Sequence, residues 1–320
     1  MENMGLIGQT TLVTGGAGFI GGCLVEELLL HNARVVVVDK EVNSRSFFAL
    51  NGFVKKTELV IADIRNRKKV LSIFKRYEPT YVIHLAAEPL VSQGYDNPYQ
   101  TFETNIMGTV HILEAARENS HIKGVIVASS DKAYGKTIKP YTEESPLKGD
   151  HPYDVSKSSA DLIAQAYYKT YDMPVVITRF GNVYGEGDLH MDRIIPGICE
   201  SIIKNNTLKV RSDGTYVRDY VYVKDVVSGY ITLLKHMDSV RGEAFNFSSE
   251  NSLSVLDLIR RSEKILGVKI PYEILNIAKN EIPYQHLIDK KIRKLGWKTQ
   301  YSFDLVLPKI LKWYSDTLSL

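Results

Sequence analysis

Short apolar runs alternate with amphipathic stretches through the first 185 residues. TLVTG (11–15), RVVVVD (34–39), LVIAD (59–63), YVIHLAA (81–87), GVIVASS (124–130) and VVITRFGNVYG (175–185) are rich in Val and Ile. They do not alternate polar with apolar, which is the pattern of strands covered on both faces. Between them the apolar spacing predicts helices at 19–31, near 44–51, at 66–77, near 97–119 and from about Tyr153 to Tyr171. Strand followed by helix, repeated in this way, predicts a parallel sheet with right-handed crossovers. The expected class is therefore α/β: a Rossmann-type doubly wound parallel sheet carrying a smaller C-terminal α/β substrate-binding domain.

After Gly185 the rhythm changes. EGDLHMDRIIPGICESIIKNN reads as a loop and then a helix. LKVRSDGTYVRDYVYVKDVVSGYITLLKHM reads as strand, Gly turn, strand and helix. Pro, Asn and Lys become commoner towards 270–300. We expect a nucleotide-binding domain over 1–185, with 218–242 returning to it, and a second domain built from 186–217 and 243–320. No internal repeat or low-complexity tract interrupts this order.

Composition narrows the class by exclusion. The 320 residues carry 40 basic and 37 acidic side chains, a net charge of +3, which gives no bulk attraction for nucleic acid or a membrane surface. No apolar stretch approaches the ~18 residues of a membrane helix, and the N-terminus lacks the charge and apolar run of a secretion signal. The two cysteines, Cys23 and Cys199, are too few for a disulfide scaffold and too isolated for a metal centre. The expected setting is the reducing cytoplasm, with no metal.

The first apolar run leads into TGGAGFIGG, which contains Gly16-x-Gly18-x-x-Gly21 and equally Gly15-x-x-Gly18-x-x-Gly21. Ending a strand and opening a helix is the context in which such glycines bind a dinucleotide: they permit a tight turn and close approach to a pyrophosphate. The helix N-terminus then supplies free N–H groups. The second run ends in Asp39, 18 residues after Gly21. A carboxylate there accepts hydrogen bonds from ribose hydroxyls and repels a 2′-phosphate, so NAD is expected and NADP is disfavoured, Lys40 being the counter-argument. Asp63 is a candidate for the adenine amine or a plain strand-end cap.

Tyr153 and Lys157 in PYDVSK lie four apart, on one helical face. A phenol has a reference pKa of about 10, and a nearby cation favours its ionised form, so the pair predicts a general base for a sugar hydroxyl. Ser129 or Ser130, at the end of the GVIVASS run, can hold the same hydroxyl. With HLAAEP, Asn105 in ETNIMGT, SSDKAYG, RFGNVYG, VRDYVYVKDV and KLGW (294–297), the chain resembles an extended short-chain dehydrogenase/reductase acting on nucleotide sugars over almost its whole length. The resemblance implies a tightly held NAD touching Gly15, Gly18, Phe19, Ile20, Gly21, Asp39, Asp63 and Ile64. It extends those contacts to Leu85, Ala86, Ala87, Asn105, Ser129, Tyr153 and Lys157. It also implies a nucleotide-diphosphate sugar met by Glu88, Ser130, Asn182 and Arg218, with Arg193 and Arg211 as further candidates. A homodimer through the helices near 97–119 and 153–171 is implied as well.

Asp131 and Lys132 bear on the reaction. A 4-epimerase needs only Ser, Tyr, Lys and NAD. A 4,6-dehydratase also needs an acid for the departing C6 hydroxyl and a base for the C5 proton. The Asp-Lys pair and HLAAEPLV resemble the CDP-glucose 4,6-dehydratase branch, with Ser130 in place of the usual Thr and Lys132 in place of the usual Glu. VRDYVYVKDV reads more like epimerases and dTDP-sugar enzymes. The expected catalytic set is Ser130, Asp131, Lys132, Tyr153 and Lys157, with 4,6-dehydration expected and 4-epimerisation the alternative. Lys132 would take the C5 proton or stabilise the enolate.

Overall fold

A computed structural model describes residues 7–249, 252–278 and 281–319. Seven parallel strands form the main sheet: β1 (Thr10–Thr14), β2 (Arg34–Asp39), β3 (Glu58–Ile61), β4 (Tyr81–His84), β5 (Gly124–Ala128), β6 (Val175–Phe180) and, much later in the chain, β10 (Ala244–Phe247). Their order across the sheet is β10-β6-β5-β4-β1-β2-β3. The order reverses between β1 and β4, and α/β sheets of this kind bind ligands at that switch point.

The unbroken Val/Ile runs have a direct cause. In β2, Val35 and Val37 enter one core while Val36 and Val38 enter the other, on the opposite face. Leu12 and Val13, Val82 and Ile83, and Val125 and Ile126 divide in the same way. Helices Phe19–Leu30 and Val223–Lys235 cover the first face; Arg67–Tyr77, Gly108–Arg117 and Pro152–Tyr171 cover the second. Each fully buried Val contributes about 1.5–3 kcal/mol, and Thr14 and His84, polar residues buried in these strands, are hydrogen-bonded to each other.

The second lobe is built from β7 (Asn182–Tyr184), β9 (Val217–Tyr222) and β11 (Ser252–Ser254) in one small sheet. A parallel pair, β8 (Leu208–Val210) with β12 (Tyr272–Ile274), forms another. Helices Ile194–Lys204, Val255–Leu266 and Phe303–Leu318 pack around them. The helix Val223–Lys235 returns to pack on the helix after β1.

Three expectations shift. The domain boundary drawn at 243 would place 244–247 in the second lobe, but Ala244–Phe247 pairs in parallel with β6 from Ala244↔Ile177 to Phe247↔Phe180 and closes the main sheet. The long helix near 97–119 is broken into Pro98–Phe102, a π turn Glu103–Met107 and Gly108–Arg117. A Cβ on Gly108 would lie 2.5 Å from the Ile64 side chain, which would have to shift. The helix expected near 44–51 is a single turn, Phe47–Leu50, capped by Ser46.

KLGW has a structural job. The Trp297 indole N–H donates to the Asp225 carbonyl at 3.0 Å and to Ser228 Oγ at 3.1 Å, with its ring edge-on to Phe247. Trp297→Ala should therefore destabilise the fold by about 3–5 kcal/mol. Trp297→Phe, which keeps a ring and loses the donor, should cost about 1 kcal/mol. Urea unfolding of both variants measures the difference.

Candidate active site

The site grows from the C-terminal ends of β1 and β4. Gly15 follows β1 with φ +70°, and a Cβ there would stand 2.8 Å from the Ala86 backbone nitrogen. A Cβ on Gly21 would stand 2.1 Å from the Gly15 carbonyl oxygen. Glycine is thus required twice by close backbone approach. Gly18 caps the helix without a side-chain hydrogen bond, which leaves first-turn N–H groups for an anionic ligand. At the end of β2, Asp39 Oδ2 accepts from Ala17 N at 3.0 Å and Oδ1 from Lys40 N at 2.8 Å. Burial pushes its carboxyl above the usual range, and those backbone donors oppose the rise. Each oxygen keeps acceptor capacity for a ribose hydroxyl.

These groups open onto one cleft of about 1440 Å³. That exceeds the ~300–1,000 Å³ of a typical small-ligand pocket and suits two nucleotide-sized ligands end to end. Of the residues expected to bind or react, all but Asn105 and Asp131 line the cleft. Asn105 sits in the π turn behind the wall. Its side chain accepts from Glu88 N at 2.7 Å and donates to the Glu88 carbonyl at 3.2 Å and to Ser156 Oγ at 2.9 Å. Its contacts are with the loop that carries Ala87 and Glu88.

Beneath that loop His84 is fully buried between Thr14 Oγ1 at 2.7 Å and Thr109 Oγ1 at 3.0 Å. Burial, with the Lys157 ammonium nearby, drops its pKa to about 3, so the ring is neutral. Asp63 lines the cleft, but both its oxygens are engaged by the Arg65 guanidinium, at 2.6 Å in the closest contact. That pairing holds its carboxyl below the usual range, and Arg65 reaches on to Glu103 at 3.1 Å.

The chemistry lies where β5 ends. Ser129 Oγ is buried, faces the cleft and has no hydrogen-bond partner among the described residues. Ser130 is extended, and its Oγ accepts from Lys132 N at 3.2 Å, starting a tight turn over Asp131–Tyr134. The turn sends the two charges different ways. Lys132 faces the cleft; Asp131 is fully buried behind it. Asp131 Oδ1 accepts from Ser130 Oγ at 3.1 Å and lies 3.7 Å from Lys132 Nζ. Burial raises the Asp131 pKa, against the lowering pull of Lys132, Ser130 and Arg218.

Tyr153 and Lys157 open the helix Pro152–Tyr171, and both line the cleft. The Tyr–Lys spacing predicts a lowered phenol pKa. Instead burial raises it, helped by Asp154 and Asp131, while Arg193 and the Ser130 hydroxyl pull it down. The Lys157 ammonium is turned to the Ala128 carbonyl, 2.9 Å away, and its own burial brings its pKa down to about 8.

At the far end, Asn182, Arg193, Arg211 and Arg218 line the cleft. Arg193 pairs with Asp188 at 3.0 Å. Arg218 donates to the Ile282 carbonyl at 2.6 Å, to the Val217 carbonyl at 3.0 Å and to Glu281 at 2.7 Å. Four groups escaped the sequence reading: Arg65, Glu281, Gln285 and the buried pair His151–Asp154, 3.0 Å apart. None of the four is announced by a local pattern in the sequence.

A doubly wound sheet with a glycine-lined switch point, an acidic β2 end and a Ser–Tyr–Lys cluster defines a dinucleotide-dependent enzyme of the Rossmann class. The chain belongs to the NAD dependent epimerase/dehydratase family, whose pattern matches residues 11–248. It is 29% identical to the CDP-glucose 4,6-dehydratase of Salmonella typhimurium, over 96% of this chain and 90% of that one. It is 30% identical to the UDP-glucuronate 4-epimerase of Thermodesulfobacterium geofontis, over 97% of each. The crystal structure of the dTDP-glucose 4,6-dehydratase DesIV from Streptomyces venezuelae, solved with NAD bound, superposes with a TM-score of 0.87 at 29% identity, covering 96% and 97% of the two chains. The glycine cradle, the Asp39 acceptors and the unpartnered Ser129 hydroxyl fit the same cofactor, NAD.

Asp39→Asn should keep the fold and weaken NAD binding by about 10–100-fold, because hydrogen bonds to a charged acceptor are lost. It should also narrow the preference for NAD over NADP. Titration calorimetry with both dinucleotides reads the two effects.

Proposed function

We propose that the protein is a nucleotide-diphosphate-hexose 4,6-dehydratase, a carbon–oxygen lyase that yields a 4-keto-6-deoxy sugar. The observation that carries this reading is the buried Asp131 carboxyl beside the cleft-facing Lys132. Burial favours its neutral form, and a carboxyl whose pKa is raised can act as an acid. NAD supplies the hydride acceptor and donor.

Ser130 holds the C4 hydroxyl and Tyr153 takes its proton. The Lys157 ammonium stands one helical turn away, in position to stabilise the phenolate. Once C4 is a ketone, the C5 proton is acidic; the unprotonated Lys132 amine takes it and later returns it to C5. The C6 hydroxyl leaves with a proton from Asp131, relayed by the Ser130 hydroxyl, 3.1 Å from that carboxyl. Glu88 borders the sugar. Arg218 exchanges Glu281 for the sugar diphosphate, with Asn182, Arg193 and Arg211 beside it. The planar guanidinium fork suits phosphate oxygens.

A second reading, 4-epimerisation, is supported by the epimerase relative and by Asp131 standing off the cleft wall, since Ser130, Tyr153, Lys157 and NAD suffice for it. Incubation with CDP-glucose, dTDP-glucose, GDP-mannose and UDP-sugars, read by mass spectrometry, separates the two. Dehydration gives a product lighter by one water. A product of unchanged mass and inverted C4 overturns it in favour of the epimerase. Asp131→Asn should still oxidise C4 but slow water loss by about 10²–10⁴-fold, whereas Tyr153→Phe should stop oxidation itself.

We further propose a homodimer in the cytoplasm. Exposed Tyr99, Met107, Leu162 and Tyr171 lie along the helical segments Pro98–Arg117 and Pro152–Tyr171, which pack on each other. Both cysteines are free and buried, in keeping with a reducing compartment. Among the described residues no helix is long and apolar enough to cross a membrane. Light scattering should give twice the chain mass, and Leu162→Glu should shift it towards the single chain.

A further inference from the structure

The segment 281–288 of the second lobe runs along the cleft and is pinned on both sides. Tyr284 forms a bridge with Val217, and Leu287 with Tyr141. Gln285 N donates to the Val217 carbonyl at 3.1 Å, and Leu287 N to Asp219 Oδ2 at 3.2 Å. Between these anchors the Gln285 side chain is only 1% exposed, yet it lines the cleft. Its Nε2 donates to Asp131 Oδ2 at 2.9 Å. Its Oε1 is buried and has no partner among the described residues.

A buried carboxamide with one end engaged and the other idle is costly to keep unless the idle end has a use. Its neighbour supplies one. Acting as an acid, Asp131 must cycle between carboxyl and carboxylate. The amide N–H serves the ionised form. Rotation of the amide by half a turn presents Oε1, which accepts from the protonated form. The other groups facing Asp131 are biased. Lys132 on the same turn and Arg218 on β9 favour the ionised state, and Asp154 on the helix Pro152–Tyr171 disfavours it. Tyr141 and Tyr153 are phenols that feel the Asp131 charge. Ser130 Oγ is shared with the Lys132 amide.

We infer that Gln285 is a positioning residue for the elimination acid: a neutral amide, delivered by the second lobe, that holds the Asp131 carboxyl in both protonation states and sets the pH at which the acid is lost. The inference rests on the dehydratase reading. Because the amide's hydrogen bond to the ionised form is charge-assisted and the stronger of the two, its removal raises the Asp131 pKa. The acid then survives to higher pH, and the alkaline limb of the dehydration profile moves up. A carboxylate in its place moves the limb further in the same direction.

The experiment uses the NAD-loaded enzyme with Gln285→Leu and the isosteric Gln285→Glu. Retained NAD affinity and thermal midpoint show that each variant folds. Infrared difference titration reads the carboxyl C=O band assigned by its loss in Asp131→Asn, and needs no turnover. The pH profiles of water loss and of C4 oxidation, followed by nicotinamide absorbance, are measured alongside. We expect the Asp131 midpoint to rise by about one unit in Gln285→Leu and further in Gln285→Glu, with the dehydration limb following and the C4-oxidation profile, which feels Asp131 only through its charge on Tyr153, moving by less. An unmoved midpoint in both variants overturns the pairing. A midpoint that moves while the dehydration limb stays put overturns the positioning role. A midpoint that moves in a protein that removes water from no nucleotide sugar upholds the pairing and overturns the dehydratase reading on which the role depends.

Discussion

The site depends first on a hydrogen-bonded clamp across the gap where the sheet changes direction. Thr14 ends β1 and His84 ends β4; the Thr14 hydroxyl and the His84 ring meet at 2.7 Å, and the ring's other nitrogen reaches Thr109 at 3.0 Å. The same hydroxyl accepts from Ala86 N at 3.3 Å. The helices that follow these two strands pack on opposite faces of the sheet, and the side-chain bridge adds to a backbone ladder that already pairs Thr14 with His84 and Leu85 N with the Thr14 carbonyl. A neutral imidazole can donate at one nitrogen and accept at the other, which suits a ring between two hydroxyls. It fixes the Gly15 turn against the Ala86 backbone, and from that contact follow the depth of the cleft and the loop that carries Glu88.

Electrostatics within the cleft follow from burial more than from pairing. Asp39, Asp131, Tyr153 and Lys157 are each displaced from their usual values, and in each case desolvation is the largest cause. The direction is always towards the neutral form. Lys157, at about 8, is still largely an ammonium near neutrality. Asp131 is biased to stay a carboxylic acid, and Tyr153 to stay a phenol. Ionisation of Tyr153 must therefore be drawn out by what binds beside it.

The sequence was legible where one residue type answers one local demand. Double-sided burial writes itself as Val/Ile runs, close backbone contact as glycine, and a shared helical face as Tyr153 and Lys157 four apart. It was opaque where the answer depends on tertiary placement. Nothing in SSDKAYG says that the turn sends Lys132 outward and Asp131 inward, because that depends on the Ser130 cap and on the fill behind it. Gln285 meets Asp131 across 154 residues of chain, and YQHL has no pattern to announce it. Spacing also sets only the proximity of Lys157 to Tyr153, not that the ammonium is turned to the Ala128 carbonyl. The π turn at Glu103–Met107 cannot be seen in a periodic pattern either, since one extra residue per turn leaves both flanking helices regular.

The edge strand β10 has a bearing on how the molecule is made. It is the last strand of the main sheet, yet it arrives 64 residues after β6 ends, once the first part of the second lobe has been synthesised. Until then β6 presents an open, apolar edge, the kind that recruits other chains. A chain emerging from N-terminus to C-terminus cannot complete its nucleotide-binding half first and append the other afterwards. The two lobes are interleaved in time as well as in space, and no single cut in the sequence would release either as a finished unit.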